Sequence, residues 1–243
     1  MTEITKNNSL EKVQEHLKAE CFNKLFIGGH FVDTIDGQKM PTYYPATGEV
    51  FHELPKGNAN DIGSAIDAAE AAWLDGAWAN MPAAERGDLI SRMAQGIEEN
   101  IEALAAIEAA DVGKPFRQAA MVLSGAASEG KYWGSLGAVL DAGQDTPVNS
   151  GGGMGGLPPA EWDVVYRRDP IGIVCLISAW NYPINVAFRK VAPALVAGNC
   201  AILKPSEIAG LSCMFLAKLA QDVGIPEGVF SVVTGDRETG AAL

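Results

Sequence analysis

The chain has 243 residues, enough for one or two domains. Its 18 Lys and Arg against 30 Asp and Glu give a formal net charge of -12. This acidity excludes a non-specific nucleic-acid binder and disfavours adhesion to an anionic membrane. Hydrophobic residues make up 48% of the chain, so it can bury a large core.

Four cysteines occur, and their spacing forms neither a CxxC pair nor a zinc-ligand pattern. We therefore expect no disulfide scaffold and no metal site. The polar first 24 residues lack the apolar core of a secretory signal, and no apolar run reaches the length of a membrane span. These features predict a soluble, cytoplasmic protein with no membrane partner.

The first predicted elements are a helix and two hairpins. The N-terminal tail, residues 1–24, favours a helix, with Asn8 and Glu11 spaced as a capping box. Residues 25–32 form two apolar runs around a Gly-Gly turn, which is typical of a hairpin. A second hairpin is predicted around the turn at 45–48.

Helical patterns follow, up to about residue 143. Asn60 is placed to cap a helix whose apolar face is formed by Ile62, Ala65, Ile66, Ala69 and Trp73. Pro82 suits the first turn of another helix, and Gly113-Lys114-Pro115 is a stop signal for a third. A fourth helix is predicted from there to Gly143. Residues 25–143 thus form a part built of hairpins and helices.

Residues 144–161 are rich in Gly, Pro and polar residues and mark the predicted boundary in the chain. Gly151–Gly156 fits GxGxxG formally, but no strand precedes it and Leu157-Pro158-Pro159 follows, so we interpret it as a flexible loop. Residues 162–168 then alternate like an exposed strand. The predicted unit at 144–169 is therefore a loop followed by a strand.

Residues 170–243 have an α/β pattern. Continuous apolar runs at 172–177, 200–203 and 229–233 alternate with helical patterns, and a further helix begins at Glu238. This β-α-β-α-β order predicts part of a Rossmann-like parallel sheet with right-handed crossovers. Ligands of such sheets bind beyond the carboxyl ends of the strands.

Those strand ends carry candidate site residues. Asn181 could donate a hydrogen bond to a developing oxyanion, or could simply be a turn residue. Glu207 stands where dinucleotide-binding folds hold a ribose hydroxyl, or it forms a solvated turn with an ion pair to Lys204. Gly235 and Gly240 permit close approach of a ligand to the backbone, or only a turn into a helix.

Several motifs, taken in order, resemble the NAD(P)-dependent aldehyde dehydrogenase superfamily. They are Ile177-Ser178-Ala179-Trp180-Asn181-Tyr182-Pro183, Lys190, Ala192-Pro193-Ala194-Leu195, Gly198-Asn199, Lys204-Pro205-Ser206-Glu207 and Val233-Thr234-Gly235, preceded by Ile27-Gly28-Gly29, Pro45-Ala46-Thr47-Gly48, Arg86 and Asp111-Val112-Gly113-Lys114-Pro115. The resemblance extends from about residue 25 to the end of the chain and covers the N-terminal half of the family's sequence.

The resemblance implies a role for each matching residue. Asn181 is expected to be the side-chain donor of an oxyanion hole. Lys204 and Glu207 are expected to bind the adenosine ribose, and Glu207 to repel a 2′-phosphate, which favours NAD while NADP stays possible. Gly235 and Gly240 are placed near the adenine. The remaining residues expected at the cofactor are Ile177, Ser178, Ala179, Trp180 and Ser206.

Two basic residues and one strand have further implied roles. Lys190 resembles a family lysine near the active site, and it is either a proton-transfer group or part of a buried structural ion pair. Arg189 stands where many members have Trp, and it either recognises a substrate carboxylate or faces solvent or an acidic neighbour. Residues 163–169 resemble the oligomerisation strand, which implies a homo-dimer or tetramer.

The family's nucleophilic Cys and general-base Glu lie beyond the position of residue 243. None of the cysteines present is expected to replace the nucleophile: Cys175 and Cys200 fall in or beside predicted buried strands, Cys213 on a helix and Cys21 in the tail. The resemblance therefore implies the N-terminal fragment of an enzyme that oxidises a small-molecule aldehyde to a carboxylic acid through a Cys thiohemiacetal, inactive alone.

Two other functions stay open. A naturally short, non-catalytic module could bind a dinucleotide or pair with full-length subunits through residues 163–169. A different oxidoreductase on a doubly wound sheet is the third reading.

Overall fold

The computed structural model describes residues 10–142 and 169–243. The helices are α1 Leu10–His16, a 3-10 helix Glu20–Phe22, α2 Ala59–Asp75, α3 Ala77–Asn80, α4 Ala83–Glu99, α5 Ile101–Val112, α6 Phe116–Ala142, α7 Pro183–Val196, α8 Leu211–Val223 and α9 Arg237–Ala241. The strands are β1 Leu25–Ile27, β2 His30–Val32, β3 Lys39–Tyr44, β4 Glu49–Pro55, β5 Ile173–Ile177, β6 Cys200–Lys204 and β7 Phe230–Val232.

The main sheet has the strand order β2-β1-β7-β6-β5. β5 pairs with β6 and β6 with β7, both in parallel, with α7 and α8 as the connecting helices. The predicted β-α-β-α-β order is therefore confirmed. The parallel register places Ile177 opposite Lys204, so the ends of β5 and β6 lie at the same edge.

The N-terminal hairpin joins this sheet, which the sequence did not predict. β1 and β2 pair antiparallel, as expected, and Phe26 of β1 then pairs antiparallel with Val232 of β7. The second predicted hairpin is also present, as the separate two-stranded sheet β3–β4.

The cap of α2 is Asn58, so the assignment of that role to Asn60 was wrong. The Asn58 side chain accepts hydrogen bonds from the backbone N–H groups of Asn60 (2.8 Å) and Asp61 (3.3 Å). The Asp61 carboxylate accepts one from the Asn58 N–H in return, at 2.8 Å. Asn58 has the extended backbone that a cap needs, and Asp61 completes the reciprocal pair.

β5 is less buried than its continuous apolar sequence predicted. Every residue of β6 is buried, whereas Cys175 and Ile177 of β5 are exposed. Within the described ranges β5 is an edge strand, because no second neighbour pairs with it. Placing Cys175 in a buried strand was therefore wrong.

Some predictions fall outside the part of the chain that the structure describes. They are the Asn8 cap, the loop at 144–161 and most of the strand at 162–169. In the described ranges, no helix is long and apolar enough to cross a bilayer.

Candidate functional site

The ends of the three parallel strands meet around one cavity of about 440 Å³. Trp180 lines it from the turn after β5, Glu207 and Ile208 from the turn after β6, and Asp236 from the turn after β7. The hairpin β3–β4 and the end of α5 supply the other walls: Met40, Pro41, Thr42, Tyr43, Pro45, Asp111 and Val112. Of the predicted site residues, Trp180 and Glu207 line this cavity, whereas Asn181 and Lys204 are not part of its lining.

The turn between β5 and α7 presents its polar and aromatic side chains to solvent. Ser178 is buried, and its N–H donates to the Lys204 carbonyl at 3.1 Å, which fixes the start of this turn against β6. Ala179, Trp180 and Asn181 are exposed, and 55% of the Trp180 surface is accessible. An exposed amide beside an exposed indole is available to an external ligand.

The turn after β6 holds a lysine and a glutamate in different environments. The Lys204 side chain is buried, and its ammonium donates to the Pro205 carbonyl at 3.2 Å. Its Nζ lies 3.9 Å from the carboxylate of Glu207, which is half exposed. Burial lowers the pKa of Lys204, although the nearby Glu207 and Asp236 oppose the shift. Ser206 is half-buried in the same turn.

The two glycines near β7 have different neighbours. A Cβ on Gly235 would lie 2.1 Å from the Thr239 hydroxyl oxygen, so this glycine permits a contact within the chain. A Cβ on Gly240 would lie 3.4 Å from Cδ and Cε of Lys204. Gly240 therefore leaves space beside the Lys204 stem.

The Asp236 carboxylate caps the short helix α9. It accepts from the Glu238 N–H at 2.9 Å and pairs with Lys56 at 2.8 Å. The hydrogen bond from Lys56 holds the pKa of Asp236 below its usual value. This ion pair joins the end of β4 to the wall of the cavity.

Arg189 and Lys190 lie on α7. The Arg189 guanidinium binds Glu129 of α6 with two nitrogens, Nε to Oε1 at 2.9 Å and Nη2 to Oε2 at 3.1 Å. This contact corresponds to the predicted alternative in which Arg189 faces an acidic neighbour. Lys190 is exposed among the described residues, which does not favour the buried ion pair.

Two buried carboxylates behind the turns were missed as site residues. Glu108 and Asp111 lie one turn apart on α5 and are 0% and 4% exposed. Burial raises the pKa of Asp111 to about 8, with the Glu108 charge acting in the same direction and the Leu211 N–H against it. The sequence signal for Glu108 was its position as an acid inside the apolar stretch 104–110. Asp111 was noted solely as part of a family motif.

The thiols of the four cysteines all have raised pKa values. Burial raises the pKa of Cys21 to about 12 and that of Cys200 to about 11, and it raises the pKa of Cys213 further above its ordinary value. Cys175 is exposed, yet partial burial also raises its pKa. None has the lowered pKa of an activated nucleophile.

Comparisons with known proteins agree with this geometry. The model of the aldehyde dehydrogenase family matches residues 31–243. The peroxisomal aminoaldehyde dehydrogenase 2 of Malus domestica is 37% identical over 224 residues, which are 90% of this chain and 43% of the relative. Aminoaldehyde dehydrogenase 2 of Zea mays is 37% identical over 223 residues, with the same shares.

Solved structures give the same result. A betaine aldehyde dehydrogenase from Staphylococcus aureus in complex with NAD+ superposes with a TM-score of 0.81 at 27% identity, over 96% of this chain and 44% of that one. An aldehyde dehydrogenase mutant from Bacillus cereus gives 0.82 at 35% identity, over 95% and 45%. The chain thus spans less than half the length of the proteins that it matches. Because the family model covers most of its residues, the chain belongs to the aldehyde dehydrogenase family.

Proposed function

We propose that the chain is the N-terminal part of an NAD(P)+-dependent aldehyde dehydrogenase that oxidises an aldehyde to a carboxylic acid. One observation carries this proposal: the exposed Trp180–Asn181 turn lies beside the Lys204–Glu207 turn, at the carboxyl ends of two paired parallel strands. Dinucleotides bind at such an edge in open α/β sheets. The relative from S. aureus, solved with NAD+, supports the same assignment.

The residues of the second turn suit an adenosine ribose. The half-exposed carboxylate of Glu207 can accept hydrogen bonds from ribose hydroxyls, and it would repel a 2′-phosphate. Gly240 leaves space next to Lys204, which a larger side chain would fill. We therefore favour NAD over NADP. When bound, the oxidised nicotinamide supplies the hydride acceptor.

Asn181 is the proposed oxyanion donor. A side-chain amide can stabilise the charge that develops on the aldehyde oxygen when a thiolate attacks the carbonyl carbon. The resemblance places the nucleophilic Cys of the thiohemiacetal and the general-base Glu beyond the position of residue 243. In keeping with this, none of the cysteines present has a lowered thiol pKa. The chain alone is therefore expected to be inactive.

Other assignments stay predictions. The ion pair of Arg189 with Glu129 favours the acidic-neighbour alternative over a substrate contact, and Lys190 is kept as a candidate for proton transfer. A homo-dimer or tetramer is predicted from the resemblance of residues 163–169. The cytoplasmic location is a prediction as well, since the apple relatives are named as peroxisomal.

The first experiment is the intact mass of the native protein, purified from its source with an antibody to this segment. A mass near twice that of the 243 residues is expected, and the purified protein should reduce NAD+ in the presence of an aldehyde. A native mass equal to that of the chain would overturn the proposal and favour a short module that pairs with full-length subunits.

The oxyanion role is tested by Asn181→Ala in the longer protein. Turnover should fall by roughly 100-fold or more, the usual loss when such a donor is removed. Asn60→Ala is the matched control, because Asn60 is also exposed but lies at the start of α2. Turnover of Asn181→Ala within a few-fold of the wild type would contradict the role.

A further inference from the structure

We propose that Glu108 and Asp111 are positioning residues that hold the two ligand-binding turns in register by capping α7 and α8 from α5. The kinetic consequence rests on the proposed function, whereas the structural consequence does not. Both carboxylates are buried, and neither belongs to the turns themselves.

The helices that follow the two turns lack caps of their own. The residues before α7 and α8, Tyr182 and Gly210, make no side-chain capping hydrogen bond. The first N–H groups of a helix have no partner inside the helix and need one from elsewhere when they are buried. Both helices begin with buried residues, Pro183 and Leu211.

The carboxylates on α5 supply those partners. Oε1 of Glu108 accepts from the Ile184 N–H of α7 at 3.3 Å and from the Ser212 hydroxyl of α8 at 3.2 Å. Oδ2 of Asp111 accepts from the Leu211 N–H of α8 at 3.2 Å. One helix thus holds the N-termini of two others.

Lys114 connects the same cluster to the oxyanion turn. Its ammonium lies 3.2 Å from Oε2 of Glu108 and 4.3 Å from the centre of the Tyr182 ring, a cation–π contact. Tyr182 is the neighbour of Asn181, and Ile184 follows two residues later. The Glu108–Lys114 pair therefore contacts the chain immediately after the proposed oxyanion donor.

This arrangement fixes the positions of the two turns and also stabilises the fold. A carboxylate in a buried setting forms strong, directional hydrogen bonds, and one oxygen of Glu108 is shared by two helices. A shift of either turn would break a bond in the other. Displacements of about 1 Å from the reactive geometry can reduce a rate about 100-fold.

Two double variants separate the cap from the charge. Glu108→Gln/Lys114→Met removes both charges but keeps a carbonyl that accepts from Ile184 and Ser212. Glu108→Leu/Lys114→Met removes the charges and the acceptor together. Replacing a buried ion pair by apolar side chains is often neutral for folding, so both variants are expected to fold. The control is Glu98→Gln/Lys131→Met, which removes a half-exposed ion pair between α4 and α6.

The first readout is amide hydrogen exchange of the 243-residue chain, followed by mass spectrometry, which requires no turnover. In the Leu variant, exchange in the peptide covering 180–185 should rise by about tenfold or more, because the buried Ile184 N–H loses its acceptor. Exchange in the peptide covering 208–213 should rise less, because the Leu211 N–H keeps Asp111. In the Gln variant and in the control, it should stay within about threefold of the wild type.

Equal exchange in the Leu and Gln variants would overturn the proposal, and so would a rise spread evenly over the whole chain. If the Leu variant does not fold, two single variants, Ser212→Ala and Asp111→Asn, provide a milder test. Ser212→Ala removes one donor and should leave 180–185 protected. Asp111→Asn keeps an acceptor for Leu211 and should leave 208–213 protected. Loss of protection in either variant would contradict the assigned contacts.

The second readout is kinetic and uses the longer protein. The Leu variant should lose kcat by about tenfold or more while the KM for the aldehyde changes less than threefold, because the oxyanion donor moves and substrate binding does not. The Gln variant should retain kcat within about threefold. If the longer protein oxidises no aldehyde at all, the proposed function fails, but the exchange experiment still decides whether these residues position the turns.

Discussion

Gly87 of α4 and Gly134 of α6 are in backbone contact where the two helices cross. A Cβ built on Gly87 would lie 2.1 Å from the Gly134 carbonyl oxygen, and one built on Gly134 would lie 2.2 Å from the Ser91 hydroxyl oxygen. Both distances are far below a van der Waals contact. The long helix α6 can therefore approach α4 so closely only because both positions lack a side chain.

We expect Gly134→Ala to destabilise the fold by about 1–3 kcal/mol, the usual cost of overpacking a core, although Ala is the better helix former. Gly125→Ala is the matched control on the same helix, because nothing lies within 4 Å of its Cβ. It should stabilise by about 0.5–1 kcal/mol. Urea unfolding of both variants measures this difference, and equal stabilities would show that the helices do not approach so closely.

Thiol accessibility should differ among the cysteines. Cys175 is exposed on β5, whereas Cys21, Cys200 and Cys213 are buried. Titration of the native chain with an aromatic disulfide reagent should therefore detect one thiol, and the denatured chain should show all four. The reaction should be slow at neutral pH, because partial burial raises the pKa of Cys175.

Cys175→Ser should abolish the reaction of the native chain, and Cys200→Ser should not change it. Labelling of two or more thiols before unfolding would mean that the buried face of the sheet opens readily. Since an edge strand carries Cys175, the same experiment also reports whether β5 stays exposed in solution.

The carboxylate of Glu207 should decide between the two dinucleotides. Glu207→Gln removes the negative charge but keeps a hydrogen-bond acceptor, so we expect the preference for NAD+ over NADP+ to fall by about tenfold or more in the longer protein. The control is Glu227→Gln, which changes an exposed carboxylate paired with His30 instead. The ratio of kcat/KM for the two cofactors is the measurement. An unchanged ratio in Glu207→Gln would remove Glu207 from the cofactor site.

The parallel part of the sheet could be predicted because its signals are local. Continuous apolar runs and glycine stops mark β5, β6 and β7 along the chain, and parallel pairing follows from the helices between them. The pairing of Phe26 with Val232 joins residues far apart in the sequence, and no local pattern indicates it. The exposure of Cys175 was missed for a related reason, because burial depends on which strands lie beside β5.

The part of the site at the strand ends could be predicted for the same reason, and the part on the preceding helix could not. Trp180 and Glu207 follow β5 and β6, so the topology alone places them at one cavity, and Lys204 is the last residue of β6. Glu108 and Asp111 belong to a helix that precedes those strands, and their partners on α7 and α8 come from about 75 to 105 residues later. A buried acid is recognised only when the donors around it are known. Likewise, Asn58 rather than Asn60 caps α2 because of the local backbone, which two asparagines so close together do not reveal.

The carboxyl of Asp111 should make stability depend on pH. Burial raises its pKa to about 8 in the folded chain, against an ordinary value of 3.8, so the folded state binds the proton more tightly than the unfolded state. The contribution of this group to the free energy of unfolding is fully present below the ordinary pKa and is lost as the pH rises through about 8. The loss between these limits is at most about 1.4 kcal/mol for each pH unit. Asp111→Asn should therefore flatten the dependence seen in urea unfolding between about pH 5 and pH 8, and should be the more stable form at the upper end. Asp222→Asn, at an exposed ion pair of α8, should keep the wild-type slope. A wild-type slope in Asp111→Asn would mean that Asp111 is already ionised across this range.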